Sequence, residues 1–173
     1  MAELARITHR PLGFGIAAAI FVIDQLSKWL IMTPLALPER GLVTLTSFFD
    51  LRWVENYGVS MGFLIAASNK ERWILVAMTA LIAAAISLWI CREKARPEVA
   101  ALGLVLGGAA GNITDRARLG YVADFLDLHI GNWHPFLVFN VADAAITIGV
   151  LLLVARALLV REPKAPAENV DAV

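Results

Sequence analysis

The sequence predicts a mainly α-helical membrane protein with four transmembrane helices. A small extracytoplasmic β-sheet is expected between helices 1 and 2, and a short, partly extended loop between helices 3 and 4. Three observations carry this prediction. First, 59% of the 173 residues are AVILMFWYC, only 17% are charged, and the mean hydropathy is +0.69. With glycine counted in and tyrosine out, roughly 65% is apolar, against about 45–50% for a soluble domain. A single water-soluble core of this size leaves about 30% of the unfolded surface exposed and cannot hide that excess. Second, apolar windows near the ~20 residues needed to cross a bilayer occur four times. Third, short stretches of apolar/charged alternation fall between these windows, where a strand is expected.

The elements follow in chain order. The first window, 12–32, is interrupted by Asp24 and Lys28. It follows Arg6 and Arg10 as a signal peptide would, but no small-x-small cleavage site follows its apolar stretch, so it reads as a retained span. In the next connector, Phe49-Asp50-Leu51-Arg52-Trp53 alternates apolar and charged residues, and Asn56-Tyr57-Gly58 supplies turn chemistry. The β element is placed at about 42–63. The second window, 73–90, carries no charge; the third, 98–114, is short and glycine-rich; the fourth, 140–160, holds Asp143 near its start and Arg156 near its end. Between the last two, Gly131-Asn132 suggests a hairpin turn between short extended pieces. Residues 1–161 read as a single membrane unit, and the polar, proline-bearing stretch 162–173 as a disordered tail.

Charge placement gives an orientation. Arg92-Glu93-Lys94-Ala95-Arg96 packs three basic residues into five positions, and both tails are basic beside their spans. Lys and Arg favour the cytoplasmic side, so both termini are expected inside and the two longer connectors outside. Fifteen basic residues balance fifteen acidic ones, so no basic field points to nucleic acid. One cysteine, Cys91, and three histidines supply an all-protein zinc site poorly. No cofactor is implied, and the chain is expected to act as a monomer.

Ionisable groups at membrane depth carry the functional signal, because each costs several kcal/mol there unless it is used or paired. Asp24 and Lys28 are spaced i,i+4 and can pair with each other. Asp143 has no basic residue one turn away on its own helix. At about 1.5 Å per residue it lies only ~5 Å into that helix. Asn112, Asp115 and Arg116 end the third span, and Asp124 follows shortly after. Gly103, Gly107 and Gly111 line one helix face, a spacing that lets backbones approach closely. Two carboxylates sharing one site hold a proton between them, so one can activate water while the other protonates a peptide carbonyl. Asp143 and Asp124 suit that chemistry, although spacing alone does not choose among Asp124, Asp115 and Asp127. Gly58-Val59-Ser60-Met61-Gly62 formally matches G-x-S-x-G but lacks the α/β context that motif needs. No H-E-x-x-H is present.

Gly107-Gly108-Ala109-Ala110-Gly111-Asn112-Ile113-Thr114-Asp115-Arg116, Gly120-Tyr121-Val122-Ala123-Asp124-Phe125 and Phe139-Asn140-Val141-Ala142-Asp143 together resemble the blocks of lipoprotein signal peptidase, signal peptidase II. Asp24-Gln25-x-x-Lys28 and Asn56-x-Gly58 resemble that family's two earlier blocks, so the likeness runs from residue 24 to 149. The resemblance implies an aspartic endopeptidase of the bacterial inner membrane. Such an enzyme removes the signal peptide of prolipoproteins just before a cysteine already carrying diacylglycerol, without metal or cofactor. It implies Asp124 and Asp143 as the catalytic dyad. Asn112, Arg116 and Asn140 would orient the dyad or the substrate, with Asp24, Lys28, Asn56, Gly58 and Asp115 in support. Its partners would be diacylglyceryl-modified prolipoproteins and the membrane lipid around them. Ala144 stands where that family often has serine, and Tyr57 and Val59-Ser60-Met61 also depart from its pattern. A competing reading is a small four-span transporter or channel subunit with Asp24, Lys28 and Asp143 as an ion relay. A third is a packing protein that uses the glycine face.

Overall fold

Apolar runs become helices in the computed structural model, which describes residues 9–58 and 68–159. Helix α1 spans Arg10–Met32 and opens with Pro11 in its first turn, where the missing N–H has no intrahelical partner to lose. A single-turn helix α2, Leu37–Arg40, follows. Helix α3, Asn69–Arg92, begins at a reciprocal cap: Ser68 Oγ accepts the Glu71 N–H at 3.3 Å, and the Glu71 carboxylate accepts the Ser68 N–H at 3.0 Å. Helix α4, Arg96–Arg118, again starts with a proline in its first turn, and α5 covers Val141–Leu159. The expected tail at 162–173, the end of the β element beyond Gly58 and Ser60 of the G-x-S-x-G match lie outside the described residues.

Three of these helices, α1, α3 and α5, are long and apolar enough to cross a membrane. The predicted third span is present as α4 but is not among them, and its position explains why. It runs through the middle of the bundle and packs on α1, α3 and α5. A helix enclosed by protein needs small residues for close approach rather than apolar side chains for lipid. A Cβ on Gly103 would lie 2.6 Å from the Gly13 carbonyl oxygen, and one on Gly107 2.5 Å from that of Ala17. Gly108 meets the Ala142 carbonyl of α5 in the same way, so glycines on two faces of α4 set its distance from both neighbours. The side chains left exposed lie on the outside of the bundle, such as Leu81, Ile82, Leu151 and Leu158.

The β element is one three-stranded antiparallel sheet in the order β1-β2-β3, formed by Leu42–Thr44, Phe49–Asn56 and Val122–Leu128. The extended loop between the last two helices is therefore not separate: its strand β3 pairs along β2, with Val54 opposite Asp124 and Asn56 opposite Val122. The alternation at 49–53 does not map onto alternating burial. Asp50 and Leu51 are both buried, and the ladder slips between Leu51 and Val54. Asp50 is drawn in by His129, whose Nε2 lies 3.2 Å from its carboxylate. Gly131-Asn132 does form a two-residue turn, with Ile130 and Trp133 exchanging backbone hydrogen bonds of 2.8 and 3.1 Å. Beneath the sheet, Leu37, Leu51 and Phe125 form an apolar plug that joins it to the helix ends.

Candidate functional site

The sheet and the ends of α1, α4 and α5 enclose a buried polar cluster. Asp24 and Lys28, one turn apart on α1, pair at 2.8 Å as their spacing predicts. Lys28 also reaches Asp115 on α4 at 2.7 Å and Asn112 Oδ1 at 3.3 Å, so one ammonium serves two carboxylates. Asp24 accepts the Ala142 backbone N–H at 3.0 Å, which ties α1 to the first turn of α5. Gly111 is required here, because a Cβ would collide with the Asp24 carboxylate. Asp115 accepts the Ala123 N–H at 3.3 Å and thereby holds the start of β3.

Asp124 and Asp143 occupy a different environment from these paired acids. Asp124 is held on β3, buried, with Oδ1 accepting from Asn140 Nδ2 at 2.6 Å and Oδ2 from Asn56 Nδ2 at 3.0 Å. Asp143 is in the first turn of α5, where Oδ1 accepts from Asn112 Nδ2 at 2.8 Å and Oδ2 from the Asn140 N–H at 3.3 Å. Asn140 in turn accepts the Asp143 N–H at 2.9 Å and donates to Asn112 Oδ1 at 3.3 Å. Asn140 and Asp143 thus cap α5 reciprocally, and the same asparagine touches Asp124. None of the ion pairs among the described residues involves Asp124 or Asp143. Burial first, and the nearby Asp143 second, push the Asp124 carboxyl up to about 7, against the opposing pull of Asn56, Asn140 and Lys28.

The remaining predicted residues also converge. Arg116, buried at the end of α4, donates from Nη2 to the Gly58 carbonyl at 2.8 Å. Asn56 accepts the Gly58 N–H at 3.1 Å, so the turn after β2 is fixed from both sides. Asp127, left open as an alternative on spacing, lies on β3 but pairs with Arg52 and His134, both at 2.8 Å. Sequence reasoning sets Gln25 beside Asp24 but gives it no role, although its amide donates to Asp24 at 3.2 Å and Asp115 at 3.0 Å. It also missed the α5 cap, for which Asn-x-x-Asp before an apolar run was the available signal. Lys28 is already shared by two acids, and Glu98 with Arg156 forms a separate pair between α4 and α5. The ion-relay reading has no support in this arrangement.

A helical membrane fold with a small sheet over buried acids defines the class: an integral-membrane peptidase of the aspartic type. The chain belongs to the signal peptidase II family, whose model, Signal peptidase (SPase) II, matches residues 16–159. It is 78% identical over 169 residues to the lipoprotein signal peptidase of Rhizorhabdus wittichii, covering 98% of each chain. With that of Sphingopyxis alaskensis it shares 52% identity over 164 residues, covering 95% of each. Two solved structures of a bacterial membrane enzyme, determined by the in meso method at 2.3 and 1.9 Å resolution, superpose with TM-scores of 0.73 and 0.71 at 28% and 30% identity. They cover 85% and 86% of this chain, and are themselves covered to 87% and 92%.

Proposed function

We propose that this protein is the inner-membrane endopeptidase that removes signal peptides from prolipoproteins, cutting on the N-terminal side of the diacylglyceryl-modified cysteine. Asp124 and Asp143 activate the water. The observation that carries the assignment is charge pairing. Asp24, Asp115 and Asp127 each face a cation, whereas Asp124 and Asp143 share Asn140 and are held by neutral donors. Two such carboxylates hold one proton between them. The ionised carboxylate takes a proton from water, and the resulting hydroxide attacks the scissile carbonyl carbon. The protonated partner gives its proton to the carbonyl oxygen. The gem-diol intermediate collapses as the carboxyl that took the water proton passes it to the departing cysteine nitrogen and the other carboxylate takes back a hydroxyl proton, which restores the shared-proton state. An Asp124 carboxyl near 7 keeps a transferable proton at neutral pH.

Asn140, Asn112 and Asn56 orient the two carboxylates. Lys28, Asp24 and Asp115 brace α1, α4 and the start of β3, and Arg116 holds the Gly58 turn. A groove of about 430 Å³ runs from Asp143 past Ala144, Thr147 and Ile148, faced by Leu128, Phe136, Leu137 and Phe139. It offers an apolar path along α5 for a substrate anchored in the membrane. The protein acts as a monomer that crosses the membrane four times, with both termini cytoplasmic and the sheet outside.

The test is cleavage of a diacylglyceryl-modified precursor by purified protein. Asp124→Asn and Asp143→Asn are each expected to lower kcat by at least about 10³-fold, since neither half of an acid–base pair works alone. Wild-type rates from either variant would remove the dyad assignment. Equal cleavage of unmodified and modified precursors would remove the substrate assignment.

A further inference from the structure

Two neighbouring turns of the sheet carry no charged residue. One reads Leu-Thr-Ser-Phe-Phe over 45–49 and the other Ile-Gly-Asn-Trp-His-Pro-Phe-Leu-Val-Phe over 130–139. They adjoin, because the His129 N–H donates to the Phe48 carbonyl at 3.0 Å. Leu45, Phe48, Ile130, Trp133, Phe136 and Leu137 are all between 52% and 66% exposed. Large apolar side chains scattered singly on a surface need no explanation, but six on two adjoining turns do.

These turns are held firmly. His129 lies 3.2 Å from Asp50, and His134 lies 2.8 Å from Asp127, which also takes Arg52 at 2.8 Å. The two imidazole rings are 5.5 Å apart. Polar groups therefore fasten the base of the turns to the strands, while the apolar side chains project away.

The depth of the second turn follows from α5. Its 19 residues measure ~28 Å at about 1.5 Å each, close to the ~30 Å hydrocarbon core, so nearly the whole helix is needed to cross. Thr147 and Ile148 then lie ~9–10 Å inside the hydrocarbon edge. Phe136 and Leu137 line the same groove as these two residues. The exposed apolar surface of the turn is thus continuous with the lipid-facing surface of α5, where Ile148 and Leu151 are exposed.

We propose that turns 45–49 and 130–137 form an interfacial anchor that enters the membrane leaflet on the sheet's side. Trp133 lies at headgroup level, and Phe136 and Leu137 lie deeper, beside α5. An amphipathic indole at the headgroup layer with purely apolar rings beneath it matches the layering of the interface. The anchored segment continues through the Leu126–Phe139 bridge into Asn140, which fixes the buried acids relative to the membrane surface. The inference rests on the membrane reading and not on the dyad assignment, and its test is independent of cleavage.

The experiment places a fluorescent label at Thr46→Cys or Asn132→Cys in a Cys91→Ala background, so that all six apolar side chains stay intact. Glu39→Cys on the neighbouring α2 is the water-exposed control. In phospholipid nanodiscs, lipid-borne quenchers are expected to quench the labels at 46 and 132 at least threefold more than the control, and aqueous iodide correspondingly less. Adding Phe136→Glu and Leu137→Glu should abolish the lipid quenching at 132. Iodide access equal to the control would overturn the anchor. Protection from iodide without lipid quenching would also overturn it, because a second copy or another protein would then cover the face.

Discussion

Asp124 and Asp127 lie three positions apart on one strand and have opposite electrostatic fates. Asp127 is ion-paired with Arg52 and contacts the His134 ring, while Asp124 receives only amide N–H groups beside a second, half-buried acid. Its carboxyl is raised to about 7, chiefly by burial, and this has a consequence for stability. Between roughly pH 4 and 7 the folded protein keeps a proton that the unfolded chain has released, so this group's contribution to stability falls as pH rises through that window. Above it, the destabilisation is complete. Asp124→Asn removes the charge but keeps the shape, and it should therefore be more stable than the parent at pH 8, by up to about 4 kcal/mol, and melt higher. The gain should shrink toward zero near pH 4. Thermal unfolding in one detergent at both pH values measures it. An equal shift at pH 4 and pH 8 would mean that the effect is not electrostatic.

At the scale of the element, α4 depends on glycine where its neighbours' backbones touch it. Gly107 has the Ala17 carbonyl oxygen 2.5 Å from where a Cβ would sit, whereas Gly15 on α1 has nothing within 4 Å of that position. Gly107→Val forces α1 and α4 apart and should destabilise by at least about 1–3 kcal/mol. Gly15→Ala should be neutral or stabilising by ~0.5–1 kcal/mol, because it only removes backbone freedom from a helix interior. Melting temperatures of the two variants decide this, and similar losses in both would contradict close packing as the reason for the α4 glycines. The helices, the Asp24–Lys28 pair and the glycine face were legible in the sequence because each is a local periodicity. Two things were not. The union of β2 with β3 joins strands some seventy residues apart, and no local pattern records which segments pair. The choice among Asp115, Asp124 and Asp127 depends on which distant cation arrives: Lys28 from α1, or Arg52 from β2 together with His134. Spacing along the chain is silent on that.

At the scale of the whole molecule, α1, α4 and α5 each have one end at the acid cluster. Lys28 lies toward the C-terminal end of α1, Asn112 and Asp115 toward that of α4, and Asp143 at the start of α5, while α3 ends three residues before α4 begins. Of these helices, α4 alone falls short on apolar character, which leaves a three-crossing and a four-crossing reading that differ in parity. An odd number of crossings puts the termini on opposite sides of the membrane, and an even number puts them on the same side. Burial of α4 by α1, α3 and α5 argues for the even count, because lipid exposure and not length sets how apolar a crossing helix must be. With an even count, the preference of Lys and Arg for the inner side predicts the basic connector at 92–96 and both termini in the cytoplasm. Reporter domains that are active on only one side of the membrane, fused in turn to each terminus, should give cytoplasmic signals at both. A cysteine label at Glu39 should react with an impermeant reagent added from outside, and one at Lys94 should not. A non-cytoplasmic signal from the C-terminal fusion alone would leave α4 as a helix that enters the bundle without crossing, and would place the buried acids under a different face of the membrane from the one proposed.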